Sequence, residues 1–280
     1  MNHRKLKTHT YIANLSDKLD TLNITTFDIE KMINEHGFFY YPISNKNKVL
    51  EMLNKVKIFF AQSKEIKLSQ PHNNLGLGYI PMNRSSRGYI VTKESYTYIP
   101  NKIKLPIDFE DIFTEYYNYC NSTARIIFIQ LMDILKITNK DYDKIINHTT
   151  GTMSILHYPQ VEMKDKMVGI LPHCDWGLIT ILYTDTDGLQ VQINNKWYNI
   201  PHKEGYFIVN IADMLEVLSN GKYKSTLHRV IIIDEKYSIA FFYDPSPQTI
   251  IKPFECKYLP VKYGDYHGNK INASYRKPSD

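Results

Sequence analysis

Leu171-Pro172-His173-Cys174-Asp175-Trp176-Gly177 sets an imidazole and a carboxylate two residues apart. On an extended strand, side chains two apart point to one face. His173 and Asp175 can therefore share a ligand-binding spot while Cys174 points the other way, into the sandwich, in a structural role. A His-x-Asp pair is common by chance and needs a third partner before it means anything. His228, in Tyr223-Lys224-Ser225-Thr226-Leu227-His228-Arg229-Val230, supplies one at the start of another strand-like run. Two imidazoles and one carboxylate can occupy one face of an octahedron and leave three positions open, which suits a reactive ferrous ion that binds an oxo-acid and O2. A structural zinc site would instead want a closed tetrahedron.

The surroundings of this run are β-rich. Segments 152–158, 178–184, 188–193, 197–199, 206–210, 226–233 and 237–243 alternate with turn signals such as Asp187-Gly188, Asn194-Asn195 and Asn220-Gly221, the spacing of a sandwich or barrel. Upstream, residues 26–148 read as mostly helical. Apolar positions 29, 32 and 33 fall at helical spacing before Gly37, and Phe38-Phe39-Tyr40-Tyr41-Pro42-Ile43 reads as a buried strand. A second helix is expected over 46–62. A third, over 108–136, carries Phe109, Ile112, Phe113, Tyr116, Tyr117 and Cys120 on one side. Residues 66–106 hold glycines, prolines, Ser85-Ser86 and several tyrosines without a long period, and read as an irregular cover segment. No repeat or low-complexity linker separates the halves. The expectation is a mixed α+β chain forming one compact unit, with a mainly helical region 1–150 packed on an all-β core 151–280.

The chain has 280 residues, 43% hydrophobic and 22% charged, with a mean hydropathy of −0.37, and can bury a sizeable core. The 34 basic and 29 acidic residues give a net charge of +5, spread along the chain, so no nucleic-acid partner is expected. Three cysteines without a C-x-x-C pair argue for a reducing compartment, the cytoplasm, and against a disulfide framework. No apolar run reaches the roughly 18 residues of a spanning helix, and MNHRKLKTHT leads into no apolar core of a signal peptide; neither membrane insertion nor secretion is expected. Nothing in the sequence sets an oligomeric state.

From His157-Tyr158-Pro159 through His173-x-Asp175-x-Gly177, Asp187-Gly188-Leu189-Gln190-Val191, Trp197 and Val209-Asn210-Ile211-x-Asp213-x-Leu215, the sequence follows a recognisable phrase. The phrase continues with Leu218-Ser219-Asn220-Gly221-x-Tyr223-Lys224-Ser225-x-x-His228-Arg229-Val230 and Tyr237-Ser238-x-x-Phe241-Phe242. In order and spacing it resembles the 2-oxoglutarate- and Fe(II)-dependent dioxygenases, specifically their isopenicillin N synthase-like branch. Looser matches are His36-Gly37-Phe38-Phe39, and Gly78-Tyr79 followed by Lys93-Glu94. The resemblance implies a double-stranded β-helix (jelly-roll) core with N-terminal helices packed on it and iron at one mouth. It makes His173, Asp175 and His228 the Fe(II) ligands, with 2-oxoglutarate as co-substrate and O2 as oxidant. The implied reaction oxidises an unactivated C–H bond of a small-molecule substrate by hydroxylation, desaturation or ring closure, and releases succinate and CO2.

One departure bears on the co-substrate. Where the family carries Arg-x-Ser to hold the distal carboxylate of 2-oxoglutarate, this chain has Lys236-Tyr237-Ser238. Lysine keeps the charge on the face of Ser238 but binds as a point donor, without the planar fork of arginine. Tyr158 stands where a family tyrosine often points at the same carboxylate. The competing account of Lys236 is a solvated strand end. Two other functional readings stay open: an isopenicillin N synthase-type oxidase in which Lys236 and Ser238 grip the substrate's own carboxylate, and a non-catalytic binding protein on the same fold.

The remaining polar residues invite plainer readings. His202-Lys203-Glu204 lies in a surface turn, Asn210 and Asp213 serve backbone groups near the turns, and Trp197 belongs to the core. Arg229 is expected in a structural ion pair or hydrogen bond. Tyr79, Arg84, Arg87, Tyr89 and Tyr96 are candidates to line a pocket for an acidic or polar substrate, against ordinary packing tyrosines.

Overall fold

A computed structural model describes residues 19–22, 24, 28–86, 88–105, 107–162, 167–254 and 258–275. Helix α1 (Ile29–His36) starts where the Asp28 side chain accepts a hydrogen bond from Lys31 N and stops at Gly37, whose φ of 76° is the left-handed turn that favours glycine. Strand β1 (Phe38–Pro42) follows, then α2 (Lys46–Phe60) behind the cap Asn45, and the short α3 (Lys64–Leu68). Next come β2 (Gly78–Ile80), β3 (Arg84–Ser86), β4 (Tyr89–Val91) and β5 (Glu94–Tyr98). The long α4 (Glu110–Ile134) and α5 (Asn139–Ile146) complete this half.

Beyond them lie β6 (Thr150–Tyr158), β7 (Met167–Val168), β8 (Ile170–His173), β9 (Ile179–Thr184), β10 (Leu189–Ile193), β11 (Lys196–Asn199) and β12 (Tyr206–Ile211). The chain continues with α6 (Asp213–Leu218), β13 (His228–Val230), β14 (Lys236–Asp244), β15 (Ile250–Ile251), β16 (Val261–Lys262) and α7 (Tyr263–Tyr275). Among the described residues no helix is long and apolar enough to cross a membrane.

Two sheets build the core. The larger has the order β1-β12-β9-β14-β6-β5-β2 and the smaller β11-β10-β13-β8, with antiparallel pairing throughout both. From β8 onward the chain crosses between them: β8 in the small sheet, β9 in the large, the β10–β11 hairpin in the small, β12 in the large, β13 in the small, β14 in the large. That alternation is the double-stranded β-helix expected from the resemblance.

The large sheet is covered on both faces, which explains its near-continuous burial. Its outer face carries aromatics that meet α2 and α4: Tyr96 against Phe59 at 5.1 Å between ring centroids, Tyr98 against Phe113 at 5.7 Å, and Phe241 against Tyr117 at 5.2 Å. Its inner face, one residue out of step, is rich in hydroxyls. Thr97 and Ser154 are hydrogen-bonded at 2.9 Å, and Ser238 lies 3.4 Å from Thr184.

The cover segment is more regular than its sequence suggests. β5 pairs with β6 and β2 with β5, so both extend the large sheet, while β3 and β4 form a small sheet with β7. With β1 on the other edge, residues before 150 supply three of the seven strands of the large sheet. The hydrogen-bonding partner of β5 lies some sixty positions away, and its tyrosines are buried by distant helices, so no local period reveals the strand.

Candidate metal centre

His173 ends β8 and His228 begins β13, and the two are direct cross-strand partners with ring centroids 4.2 Å apart. Each ring is oriented by its own strand's backbone: His173 Nδ1 lies 2.9 Å from Leu171 O, and His228 Nδ1 lies 2.9 Å from Thr226 O. A carbonyl only accepts, so the proton sits on Nδ1 in both rings and each Nε2 keeps its lone pair. Thr226 is itself held, its N donating to Ile211 O at 3.0 Å and its hydroxyl to Gly37 O.

Asp175 arrives differently from the sequence expectation. β8 stops at His173, so Asp175 lies beyond the strand and is not placed by strand alternation. Asp213 N donates to Asp175 O at 3.0 Å and Met214 N to Gly177 O at 2.8 Å, which pins this loop to the start of α6. Gly177 is required by close approach, since a Cβ there would overlap Asp244 Oδ1 and lie 2.9 Å from Tyr243 O. Thr180 Oγ1 donates to Asp175 Oδ2 at 2.6 Å, leaving Oδ1 turned toward the imidazoles, 3.7 Å from His173 Nε2 and 3.9 Å from His228 Nε2.

The three ligand atoms lie within 4.8 Å of one another, and among the described residues this is the one group of three such side chains that could hold a metal ion. The two carboxylate–imidazole separations, 3.7 and 3.9 Å, exceed by less than about 1 Å those of ligands at roughly 2.1 Å and right angles around one cation. Asp175 and His228 are buried, whereas the His173 side chain is 32% exposed and marks the side from which the site is reached. Burial, followed by the neighbouring His228, pushes His173 down to about 4, so its imidazole is neutral at physiological pH and free to bind metal. The donor set, two neutral imidazole lone pairs and one carboxylate oxygen, fits an open ferrous site.

Helix α7 closes over this region. Tyr266 Oη donates to Asp213 Oδ2, Lys270 Nζ lies 3.3 Å from the same oxygen, and His267 meets Trp176 at 5.3 Å. Asp213 thus spends its carboxylate on α7 and not on turn backbone as expected. Cys174 Sγ, 3.9 Å from Ser225 O, faces the loop ahead of β13 and not the sandwich interior. Burial pushes Asp244 up to about 7, against a hydrogen bond from Tyr263 that favours the carboxylate. Asn210 Oδ1, on the inner face, is buried without a hydrogen-bond partner among the described residues.

Lys236, Ser238 and Tyr158 share the inner face of the large sheet, in register Lys236↔Tyr158 and Ser238↔Leu156. Lys236 is only 2% exposed, which rules out the solvated strand end. Its ammonium donates to Thr186 O at 2.7 Å and Asp187 O at 3.0 Å, so that, among the described residues, one of its three protons has no acceptor. Burial pushes it down to about 8. Tyr158 is buried, which raises its hydroxyl above the usual tyrosine range. Its ring packs where a Cβ on Gly169 would be 3.3 Å from Tyr158 Cδ1 and 2.7 Å from Val230 O, beside the strand that begins with His228.

Two candidate pocket tyrosines turn the other way. Tyr79 and Tyr96 lie on the outer face, Tyr79 Oη donating to buried Glu94 and Tyr96 Oη to Lys104 O at 2.8 Å. Glu94 also takes Lys67 Nζ and His157 Nδ1, each at 2.8 Å, and these hydrogen bonds outweigh burial and hold its carboxyl below the usual range. Arg84 and Tyr89 sit on the small cover sheet, and Arg87 lies outside the described residues. His202 N donates to Asp187 Oδ1 in a turn. Arg229 lies behind the small sheet, its Nε donating to Gln190 Oε1 at 2.7 Å and its guanidinium 4.3 Å from the Trp197 ring centroid. The residue that sequence reasoning missed is Thr180: its spacing from Asp175 carries no signal until the loop folds back.

Residues 140–245 match the family model of the 2OG-Fe(II) oxygenase superfamily. The chain is 34% identical over 161 residues to gibberellin 20 oxidase 3 of Arabidopsis thaliana, covering 56% of this chain and 42% of that protein. It is 31% identical over 188 residues to flavonol synthase/flavanone 3-hydroxylase of Matthiola incana, covering 63% of each. The aligned part thus spans about half the length of the curated relatives it matches. Among solved structures, a full-length Neurospora crassa protein in complex with alpha-KG superposes with a TM-score of 0.80 at 23% identity, covering 88% of this chain and 89% of that one. JOX2 in complex with 2OG, Fe and JA superposes with a TM-score of 0.77 at 24% identity, covering 86% and 79%. These structures share the fold.

Proposed function

This chain belongs to the 2OG-Fe(II) oxygenase superfamily, and from that premise we propose that it oxidises an unactivated C–H bond of a small molecule at the expense of 2-oxoglutarate and O2. The observation that carries the reading is the convergence of His173 Nε2, Asp175 Oδ1 and His228 Nε2 on one point. In this reading those atoms hold ferrous iron, and His173, Asp175 and His228 are its whole protein ligand set. Bound iron with 2-oxoglutarate would supply O2 activation coupled to release of succinate and CO2.

The residues around the ligands have distinct tasks. The carbonyls of Leu171 and Thr226 keep both imidazoles in the Nδ1–H form, and Thr180 holds Asp175 Oδ2 so that Oδ1 faces the metal. Lys236, with the proton not engaged by Thr186 O or Asp187 O, receives the distal carboxylate of 2-oxoglutarate together with Ser238 and Tyr158. α7 and the Trp176 loop cover the mouth and limit access of water. The phrase from 157 to 242 supports the isopenicillin N synthase-like branch. Free Cys120 and Cys174 suit a reducing, cytoplasmic setting.

The test is an anaerobic Fe(II) titration with and without 2-oxoglutarate, read by the visible metal-to-ligand absorption band, followed by succinate release with candidate small molecules. A band that needs both additions supports the reading. Iron binding with no response to 2-oxoglutarate would favour an oxidase that does without it.

A further inference from the structure

Half-burial shows where the inner face of the large sheet lies open. The outer face is sealed, with Tyr96, Tyr98, Met153, Ile155 and Phe241 each at most 1% exposed. Thr97, Ser154 and Phe242, one residue out of step with these, are half-buried, so their exposure comes from the inner side. Strand registers join them. Phe242 pairs with Thr180, whose hydroxyl holds Asp175. Ala240, two residues back on the same face, pairs with Ser154, and Ser154 pairs with Thr97. A strip of floor thus starts beside the metal centre, apolar at Phe242 and Ala240, and ends in two hydroxyls. Across β9, β14, β6 and β5, at about 4.8 Å per strand, Ser154 and Thr97 stand roughly 10 and 14 Å from Thr180. Their hydroxyl oxygens are 2.9 Å apart, one donating to the other. That bond uses one of two protons and one of four lone pairs; among the described residues the remaining proton and lone pairs have no partner.

Taking the functional reading above as given, 2-oxoglutarate is held by the metal and by Lys236, Ser238 and Tyr158, and the Thr97–Ser154 pair is left over. We infer that Thr97 and Ser154 bind a hydroxyl group of the organic substrate and make this enzyme selective for a largely apolar alcohol, its hydroxyl on the order of 10 Å from the carbon oxidised. A substrate hydroxyl accepts the remaining proton and donates to a free lone pair, whereas an ether or ketone only accepts. The pair is uncharged and supplies no counter-charge for a carboxylate. Phe242 and Ala240 receive the apolar body between the hydroxyls and the metal.

The test uses the full chain with Fe(II) and 2-oxoglutarate under argon and a panel of alicyclic and aromatic alcohols, each paired with its deoxy parent. Binding is read by calorimetry and by perturbation of the visible band. A neutral hydrogen bond in a half-buried site predicts that the best alcohols bind about tenfold tighter than their parents. Either hydroxyl alone could still meet the ligand, so the decisive variant is the double one. Thr97→Val with Ser154→Ala should bring the preference within about twofold while 2-oxoglutarate affinity moves by less than about twofold; Thr97→Ser with Ser154→Thr, which keeps both hydroxyls, should retain it. A panel without any alcohol-preferring member, or a preference that survives in the double variant, overturns the proposal. Tenfold weaker 2-oxoglutarate binding in the double variant with the preference intact would move the pair to the co-substrate site and also overturn it. Should the double variant not fold, a crystal structure of the wild type with the best alcohol decides: its hydroxyl within about 3.2 Å of Thr97 or Ser154 supports the proposal, and a hydroxyl elsewhere overturns it. A wild-type protein with no iron and 2-oxoglutarate band sinks the functional reading and this proposal with it; absence of alcohol preference beneath an intact band sinks this proposal alone.

Discussion

Thr180→Val removes one hydroxyl and keeps the shape of the side chain. Thr180 Oγ1 donates to Asp175 Oδ2 at 2.6 Å, within the short range of charge-assisted O–H···O bonds, and both residues are buried. Loss of such a bond costs about 1.5–3 kcal/mol, because Oδ2 is then left inside the protein without its donor. Two readouts follow. The melting temperature of the metal-free protein should fall by roughly 3–8 °C. Affinity for Fe(II), measured anaerobically by competition with a chelator, should fall about 10- to 100-fold, since the hydroxyl fixes which carboxylate oxygen faces the imidazoles. An Fe(II) affinity unchanged within about twofold, or raised, would refute the claim that Thr180 orients the ligand, whatever happens to stability.

Lys236 should give 2-oxoglutarate binding a pH limit. Its folded value is pushed down to about 8, so the charge is present below that pH and lost above it; affinity should weaken from pH 7 to 9 in the wild type and stay level in Lys236→Arg, and a level wild-type profile would contradict the role. The same depression means that burial of the charged lysine costs stability below about pH 8, and this cost fades as pH rises toward the unfolded value, since the unfolded chain then binds more protons. Glu94→Gln leaves Lys67 and His157 without their shared carboxylate and should cost about 3–5 kcal/mol in chemical denaturation, part of it recovered by adding Lys67→Met; additive effects would show that the pair is not coupled. Gly177→Ala forces Asp244 off its position beside the Asp175 loop and should weaken metal binding by at least about tenfold, checked by the same chelator competition; wild-type affinity would mean that the loop tolerates the shift.

The parts of the site that lie in short contiguous phrases could be read from sequence. His173-x-Asp175 and His228 were visible because each sits in a run with strand character and turn signals, and Gly37 marked a real helix end at φ 76°. The seven expected β segments after residue 150 correspond to β6, β9, β10, β11, β12, β13 and β14. What stayed hidden depends on partners far along the chain. β5 becomes a strand through β6, and the outward turn of Tyr79 and Tyr96 is decided by Glu94 and α2. Tyr158 and Lys236 come side by side only once β6 and β14 are in register, and no local pattern in either segment shows that pairing. Asp175 reached the site for a reason other than strand alternation: backbone bonds to α6 and the Thr180 hydroxyl carry it there.

The most direct test of the central claim is a crystal structure of the full chain loaded anaerobically with Fe(II), with anomalous scattering recorded at the iron edge. One strong peak is expected at about 2.0–2.2 Å from His173 Nε2, Asp175 Oδ1 and His228 Nε2 together. A peak at other side chains, or no peak between these three in a protein that has taken up iron, would contradict it.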